Sequence, residues 1–303
     1  MIGMLVGAGI GVVGVLFSTL VLRIYGLGLF LGVPLFMGFA AGFVADSDQE
    51  NPSGPIVATM GSLLLAALAL AGFAIEGAIC LIMASPLIAV MGVFGSLIGS
   101  AWARHCNNRK NTLYSFAMLS FLLVSEVAAP PNAALENAES IVISAPTIAV
   151  WDSVVHMGPI PDKPAAPFGW GLAYPICGEI HGAGIGALRE GVFSTGTTYE
   201  RVTDWQPGHR LAFDVLSDPP SMRELSPYPE IHAPHTTGYF KTLDAIFTIN
   251  ALSNGRTLLT LTTHHELDIG PSQYWLMFAR WAVHANKQRV LEHFRNQAEH
   301  SIM

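Results

Sequence analysis

The chain opens with long, almost uninterrupted apolar runs and later changes to alternating patterns. Five runs stand out, at 2–22, 27–45, 56–75, 78–103 and 112–128. Each is close to the about 20 residues needed to cross roughly 30 Å of hydrocarbon as a helix. Arg23–Gly26, the acidic loop Asp46–Pro55 and the basic loop Arg104–Lys110 separate them. The apolar stretch 56–103 is too long for one crossing, so it reads as a hairpin with its turn at Glu76-Gly77 or nearer Ser85-Pro86. The first run is too long, and too poor in positive charge ahead of it, for a cleaved signal peptide.

After a Pro- and Ala-containing linker at 129–138 the periodicity shifts to two. Ile141 and Ile143 alternate with Ser140, Val142 and Ser144, a strand signal. Pro146 then opens a short helix with Ile148, Val150, Trp151, Val154 and Val155 on its apolar side. Strand-like runs follow at about 176–182, 185–194, 197–204, 209–217, 239–251 and 256–268. Turn residues join them, and Asn254-Gly255 between two long β-rich runs is a strong hairpin signal. The stretch 271–300 reads as one long helix with Tyr274, Phe278, Trp281, Leu291, Phe294 and Ala298 on one stripe. The fold class predicted is an N-terminal transmembrane bundle of about five helices, 1–128. It is followed, from 139 to 303, by an α+β domain in which a curved antiparallel sheet of about seven strands wraps a long C-terminal helix.

Composition sharpens this division. Charged residues make up 12% of the 303 residues, against about 25% in an average soluble chain, and mean hydropathy is +0.45. Residues 1–138 hold only 4 Lys/Arg and 6 Asp/Glu, whereas 139–303 has an ordinary soluble composition. A net charge of −7 with no basic patch gives nucleic-acid binding no electrostatic support. Cys80, Cys106 and Cys177 form no disulfide framework and no zinc pattern. Arg104, Arg109 and Lys110 share one loop while Arg23 stands alone on the other side of the bilayer. The positive-inside rule then puts the N-terminus in the cytoplasm and, with five crossings, the C-terminal half outside, the periplasm for a bacterial inner membrane. Gly3, Gly7, Gly9, Gly11, Gly14, Gly28, Gly32, Gly38 and Gly42 make the first two segments rich in small residues, whose three- to four-residue spacings suit close helix packing in lipid. Glu76 and Glu126 alone are too few ionisable groups for an ion relay.

Several motifs carry a resemblance. Ile143-Ser-Ala-Pro-Thr-Ile-Ala-Val-Trp-Asp152, the turn Thr203-Asp-Trp-Gln-Pro-Gly208, the hairpin Gly255-Arg-Thr257 and the long terminal helix resemble the START-like, or SRPBCC, superfamily. This superfamily includes the polyketide cyclase/dehydrase-like and Bet v 1-like helix-grip proteins. The stretches 193–196, 219–228 and 231–235, with Tyr25–Phe30 and Glu76–Cys80, are similar to a membrane-anchored bacterial subgroup. The resemblance implies a helix-grip fold from 139 to 303 and binding of hydrophobic ligands, with catalysis in a minority of members.

The segment 218–238 joins two strands and is far longer than an ordinary hairpin connection. Met222, Leu225, Tyr228, Ile231 and five prolines argue against disorder, and a fixed cap over a cavity mouth is the functional expectation. On this reading the ligand-binding residues are Trp170, Tyr174, Met222, Arg223, Glu224, Tyr228, His232, His235, Tyr239 and Trp275. Arg223 offers a fork for an anionic head group; the structural alternative is an ion pair with Glu224. His232 and His235 lie in a Pro-bearing loop, and His264 and His265 are adjacent on a strand and face opposite sides. Neither pair has a committed ligand geometry, so no metal and no cofactor are expected. No nucleophile motif is present, and no catalytic residue is identified.

The leading function is membrane-tethered binding, transfer or presentation of a hydrophobic or amphipathic small molecule, such as a lipid, an isoprenoid or a polyketide-like compound. A cyclase/dehydrase-type enzyme and a structural accessory subunit of a membrane complex are the alternatives. The partners expected are the bilayer and the apolar ligand, with a membrane protein or a second copy admissible. An apolar tunnel would favour the first reading and a buried His–carboxylate pair at the cavity wall the second. A filled interior without polar convergence would favour the third.

Overall fold

A computed structural model describes residues 1–46, 54–105, 130–228 and 234–301. The chain divides into two compact units. The first comprises Met1–Pro131 together with Glu224–His235 and Asp268–Pro271; the second comprises Asn132–Arg223, Thr236–Leu267 and Ser272–Met303.

Among the described residues of the first unit four helices are long and apolar enough to cross a membrane: α1 (Ile2–Leu22), α2 (Gly28–Asp46), α3 (Gly54–Gly72) and α4 (Ala78–His105). The fifth expected helix, 112–128, lies outside the described residues. Glycine sets how the helices meet. Gly3, Gly7, Gly11 and Gly14 form one buried face of α1, whereas Gly9 on another face has open space around it. A Cβ at Gly38 would lie 1.9 Å from the Gly92 carbonyl oxygen, and one at Gly99 2.1 Å from that of Phe39. Only backbones without side chains fit between α2 and α4 at that distance.

The hairpin between α3 and α4 turns at 73–77, the first of the two sites expected, and Pro86 lies inside α4. Proline removes the amide that would bond the carbonyl four residues earlier, here Ile82. The Ser85 hydroxyl donates to that carbonyl at 2.9 Å and keeps it satisfied.

The second unit is one antiparallel sheet in the order β1-β7-β6-β5-β4-β3-β2. Its strands are β1 (Ala133–Ile143), β2 (Pro175–His181), β3 (Leu188–Phe193), β4 (Gly196–Gln206), β5 (Arg210–Ser217), β6 (Phe240–Ala251) and β7 (Thr257–Leu267). Strand β1 corrects the expected linker: residues 133–138 already pair with 262–267. The missed signal is masked by Asn137 and Glu139, polar side chains that β1 carries on exposed or partly exposed positions. Asn254 takes a left-handed conformation (φ 65°), as does Gly255 (φ 71°), which turns β6 into β7.

The short helix α5 (Thr147–Val155) and the long α6 (Ser272–His300) complete the unit. Helix α6 packs against β1 and β7 at one end of the sheet and against β2 at the other, so the sheet curls around it. Ile143, Val150, Leu211, Ile249, Leu259, Leu291 and Phe294 are fully buried between sheet and helices. This is a helix-grip fold, as the strand order and terminal helix predicted.

Candidate functional site

The segment 218–238 does not behave as one cap. Its first part stays with the sheet domain: Asp218 accepts the Thr242 amide at 2.8 Å, Met222 bridges to Leu172, and the Arg223 amide donates to Gly171. Glu224–His235 belongs instead to the helical unit. There the amide of Ala78 donates to the Leu225 carbonyl, and the Glu224 carboxylate accepts the amides of Ile79 (3.0 Å) and Cys80 (3.2 Å). The first turn of a helix leaves its amides without intrahelical partners. Residues 224 and 225 supply partners for the first three of α4.

This docking assembles a buried polar cluster. The Tyr25 hydroxyl donates to Glu76 Oε1 at 2.8 Å. His235 Nδ1 lies 3.2 Å from Glu76 Oε2, and His235 Nε2 lies 3.2 Å from Glu224 Oε1. Cys80 Sγ completes a set with Glu76 and His235 in which all ligand atoms lie within 4.8 Å of one another. Tyr25 is held in place by its backbone, whose carbonyl accepts the Gly270 amide at 2.8 Å and which bridges to Ile269. Its ring meets the His235 ring edge-on at 5.2 Å. Glu76, Glu224 and His235 side chains are 6%, 1% and 5% exposed, so three ionisable groups share a site shut off from water. Burial alone would lower the His235 pKa; Cys80, Glu224 and Glu76 around the ring overcome it and hold it well above the usual value.

A second polar convergence lies inside the grip. Arg189 on β3 and Glu200 on β4 form a buried ion pair on the core side of the sheet. The Arg189 guanidinium lies 4.7 Å from the Phe213 ring centroid and reaches Met157 Sδ. Gly178 and Gly191 leave room for it, since a Cβ at either position would press on Arg189. Burial raises the Glu200 pKa, opposed by Arg189, and Asp218 is raised by burial as well. Further along, the Lys287 ammonium donates to the carbonyls of Asn137 and Leu261 from within α6.

The sequence-predicted site residues scatter. Glu224 and His235 come together, with Glu76 and Cys80 rather than with each other's sequence neighbours. Arg223 is exposed and Glu224 is engaged elsewhere, so the expected pairing of the two does not form. Tyr228 is half-exposed and donates to the Gly72 carbonyl. Trp170 is largely exposed, and Tyr174 carries Arg289 over its ring. Tyr239 is partly buried, and Trp275 is buried between Tyr274 and Phe278. His232 lies outside the described residues. His264 bonds Asp244 at 2.7 Å and His265 is buried against Thr263, facing opposite sides as the strand period requires. Tyr25, Glu76, Cys80, Arg189, Glu200 and Lys287 were missed. Glu76 had a legible signal: a carboxylate in an apolar hairpin is a functional candidate on its own.

No protein-family model and no curated protein sequence matches the chain. Solved structures do. An aromatase/cyclase from a Streptomyces species is 16% identical, with 56% of this chain and 97% of that one covered and a TM-score of 0.36. A protein from Nitrosomonas europaea is 12% identical over 55% and 96%, TM-score 0.34. Norcoclaurine synthase from Thalictrum flavum, in complex with dopamine and hydroxybenzaldehyde, is 7% identical over 55% and 86%, TM-score 0.34. By its own topology the second unit has a helix-grip fold. With four apolar helices that fit membrane insertion, the chain has the make-up of a membrane-anchored helix-grip protein.

Proposed function

We propose that the protein binds an apolar or amphipathic small molecule in its helix-grip domain and, tethered to the bilayer, extracts it from or presents it to the membrane. The observation that carries this is the Arg189–Glu200 pair. It is buried on the core side of the sheet beside Phe213 and Met157. A buried ion pair is seldom more stable than apolar residues of the same size, so stability alone does not account for it. A guanidinium held against an aromatic ring would grip the polar end of an amphipathic ligand while the surrounding side chains take its apolar body. A wholly structural interior would have no polar convergence. Tethering keeps the domain near the lipid phase in which such ligands concentrate. The charge asymmetry of the loops supports placing this domain on the periplasmic side of a bacterial inner membrane.

Mass spectrometry of small molecules retained by the full chain after detergent purification tests the reading. One class of amphipathic compound should be enriched over bulk lipid and lost from the double variant Arg189→Met/Glu200→Leu, which removes both charges together. Retention of nothing but bulk lipid by the native chain would refute it. A C-terminal reporter active only outside the cytoplasm tests the orientation; silence from it would reverse the assignment.

A further inference from the structure

We propose that Glu76, Cys80 and His235 bind a divalent metal ion of the zinc class, independently of any ligand in the helix-grip domain. The three donors come from two distant parts of the chain, and their ligand atoms lie within 4.8 Å of one another in a buried site. The contact between His235 Nδ1 and Glu76 Oε2 is informative. The atoms are 3.2 Å apart, within ion-pair distance, yet neither makes a well-directed hydrogen bond. Buried polar atoms without directed hydrogen bonds are rare, and a bound ion is one arrangement that satisfies them. Bonds of about 2.0–2.1 Å in a tetrahedral zinc site place neighbouring ligand atoms about 3.3 Å apart. The observed separation matches that edge.

The outward-facing atoms of the same side chains are all engaged. Glu76 Oε1 accepts the Tyr25 hydroxyl, which leaves Oε2 turned inward. His235 Nε2 faces Glu224 Oε1 at 3.2 Å, so a metal that displaces the Nδ1 proton would leave the other ring proton on Glu224. Glu224 is anchored in turn by the Ile79 and Cys80 amides. A carboxylate that bonds the far nitrogen of a ligating imidazole is the usual outer support of a zinc histidine. Cys80 sits in the first turn of α4, and a bound metal would displace the proton of its thiol. One thiolate, one carboxylate and one imidazole are a borderline-soft set that suits zinc over magnesium or calcium, and their two negative charges neutralise a dication. Three protein donors leave a fourth position for an outside ligand.

The test uses the full chain in detergent, stripped by chelator and titrated with Co²⁺. The expected result is a thiolate-to-cobalt absorption band that saturates at about one ion per chain and is displaced by Zn²⁺. Cys80→Ala should abolish the band, and His235→Ala should weaken Zn²⁺ binding by at least tenfold. If either variant fails to fold, the native chain decides alone. A saturating thiolate band supports the site. Its absence, with tyrosine and tryptophan circular dichroism showing a folded chain, overturns the proposal in favour of a bare His235 ion pair between two carboxylates.

Discussion

The Glu224 carboxylate rests on the amide of Ile79, 145 positions earlier in the chain, at 3.0 Å. One side chain thus ends a helix and fixes a histidine at once, because its other oxygen reaches His235. Gly77 makes the approach feasible: a Cβ there would lie 2.2 Å from Glu224 Oε2.

This relationship predicts a shared defect. Glu224→Ala leaves buried amides of α4 unpaired and should destabilise the helical unit by about 1–3 kcal/mol. Gly77→Ala should act through the same contact by pushing the carboxylate away. Thermal unfolding of the two single variants and the double variant in detergent checks this. The double variant should lose clearly less than the sum of the singles. Simple additivity would show that Gly77 and Glu224 act separately.

A second prediction concerns the α2–α4 contact. Gly38→Ala puts a methyl group against the Gly92 carbonyl, a backbone atom that cannot swing aside. Overpacking of this kind costs about 1–3 kcal/mol. Gly9→Ala, where a Cβ meets nothing within 4 Å, should leave stability unchanged or slightly improved. Size-exclusion profiles and melting temperatures of the two variants provide the comparison. Equal behaviour would mean that glycine spacing in these helices does not determine their packing.

These contacts show what could and could not be read from the chain. Period-two alternation and Asn254-Gly255 located the strands of the grip, because a half-buried strand writes its face into every second residue. Glycine spacing in α1 and α2 marked close helix packing at Gly3, Gly7, Gly11, Gly14, Gly38 and Gly42, but did not separate these from Gly9, which has open space around it. The Glu76–Cys80–His235 cluster was not legible. Glu76 and Cys80 look like a broken hairpin in an apolar run, and His235 falls in a Pro-bearing loop with no periodicity. What joins them is the docking of Glu224–His235 with the apolar helices, a tertiary event with no local signature. The Arg189–Glu200 pair was hidden for a related reason. Charged residues on strands are normally read as the solvent face, and β3 and β4 turn this pair inward.

The last prediction concerns acid stability of the sheet domain. His265 is buried on β7, with its Nε2 on the Thr263 hydroxyl and its ring stacked on Phe240 at 5.0 Å. Burial, helped by the nearby Lys287 ammonium and His264, pushes its pKa down to about 3. The folded chain therefore keeps His265 neutral, whereas in the unfolded chain it titrates near its ordinary value of about 6.5. Between these two values the unfolded state binds the extra proton, so stability must fall as pH drops from about 6.5 towards 3. The slope from this one group approaches about 1.4 kcal/mol per pH unit. Replacing the ring with a side chain that does not titrate, His265→Gln, should flatten that acid limb by up to one proton even if it lowers stability at neutral pH. Urea unfolding of the full chain in detergent between pH 7 and pH 5, followed by near-ultraviolet circular dichroism, measures the slope. Identical slopes for the native chain and His265→Gln would show that His265 is not held neutral by its burial.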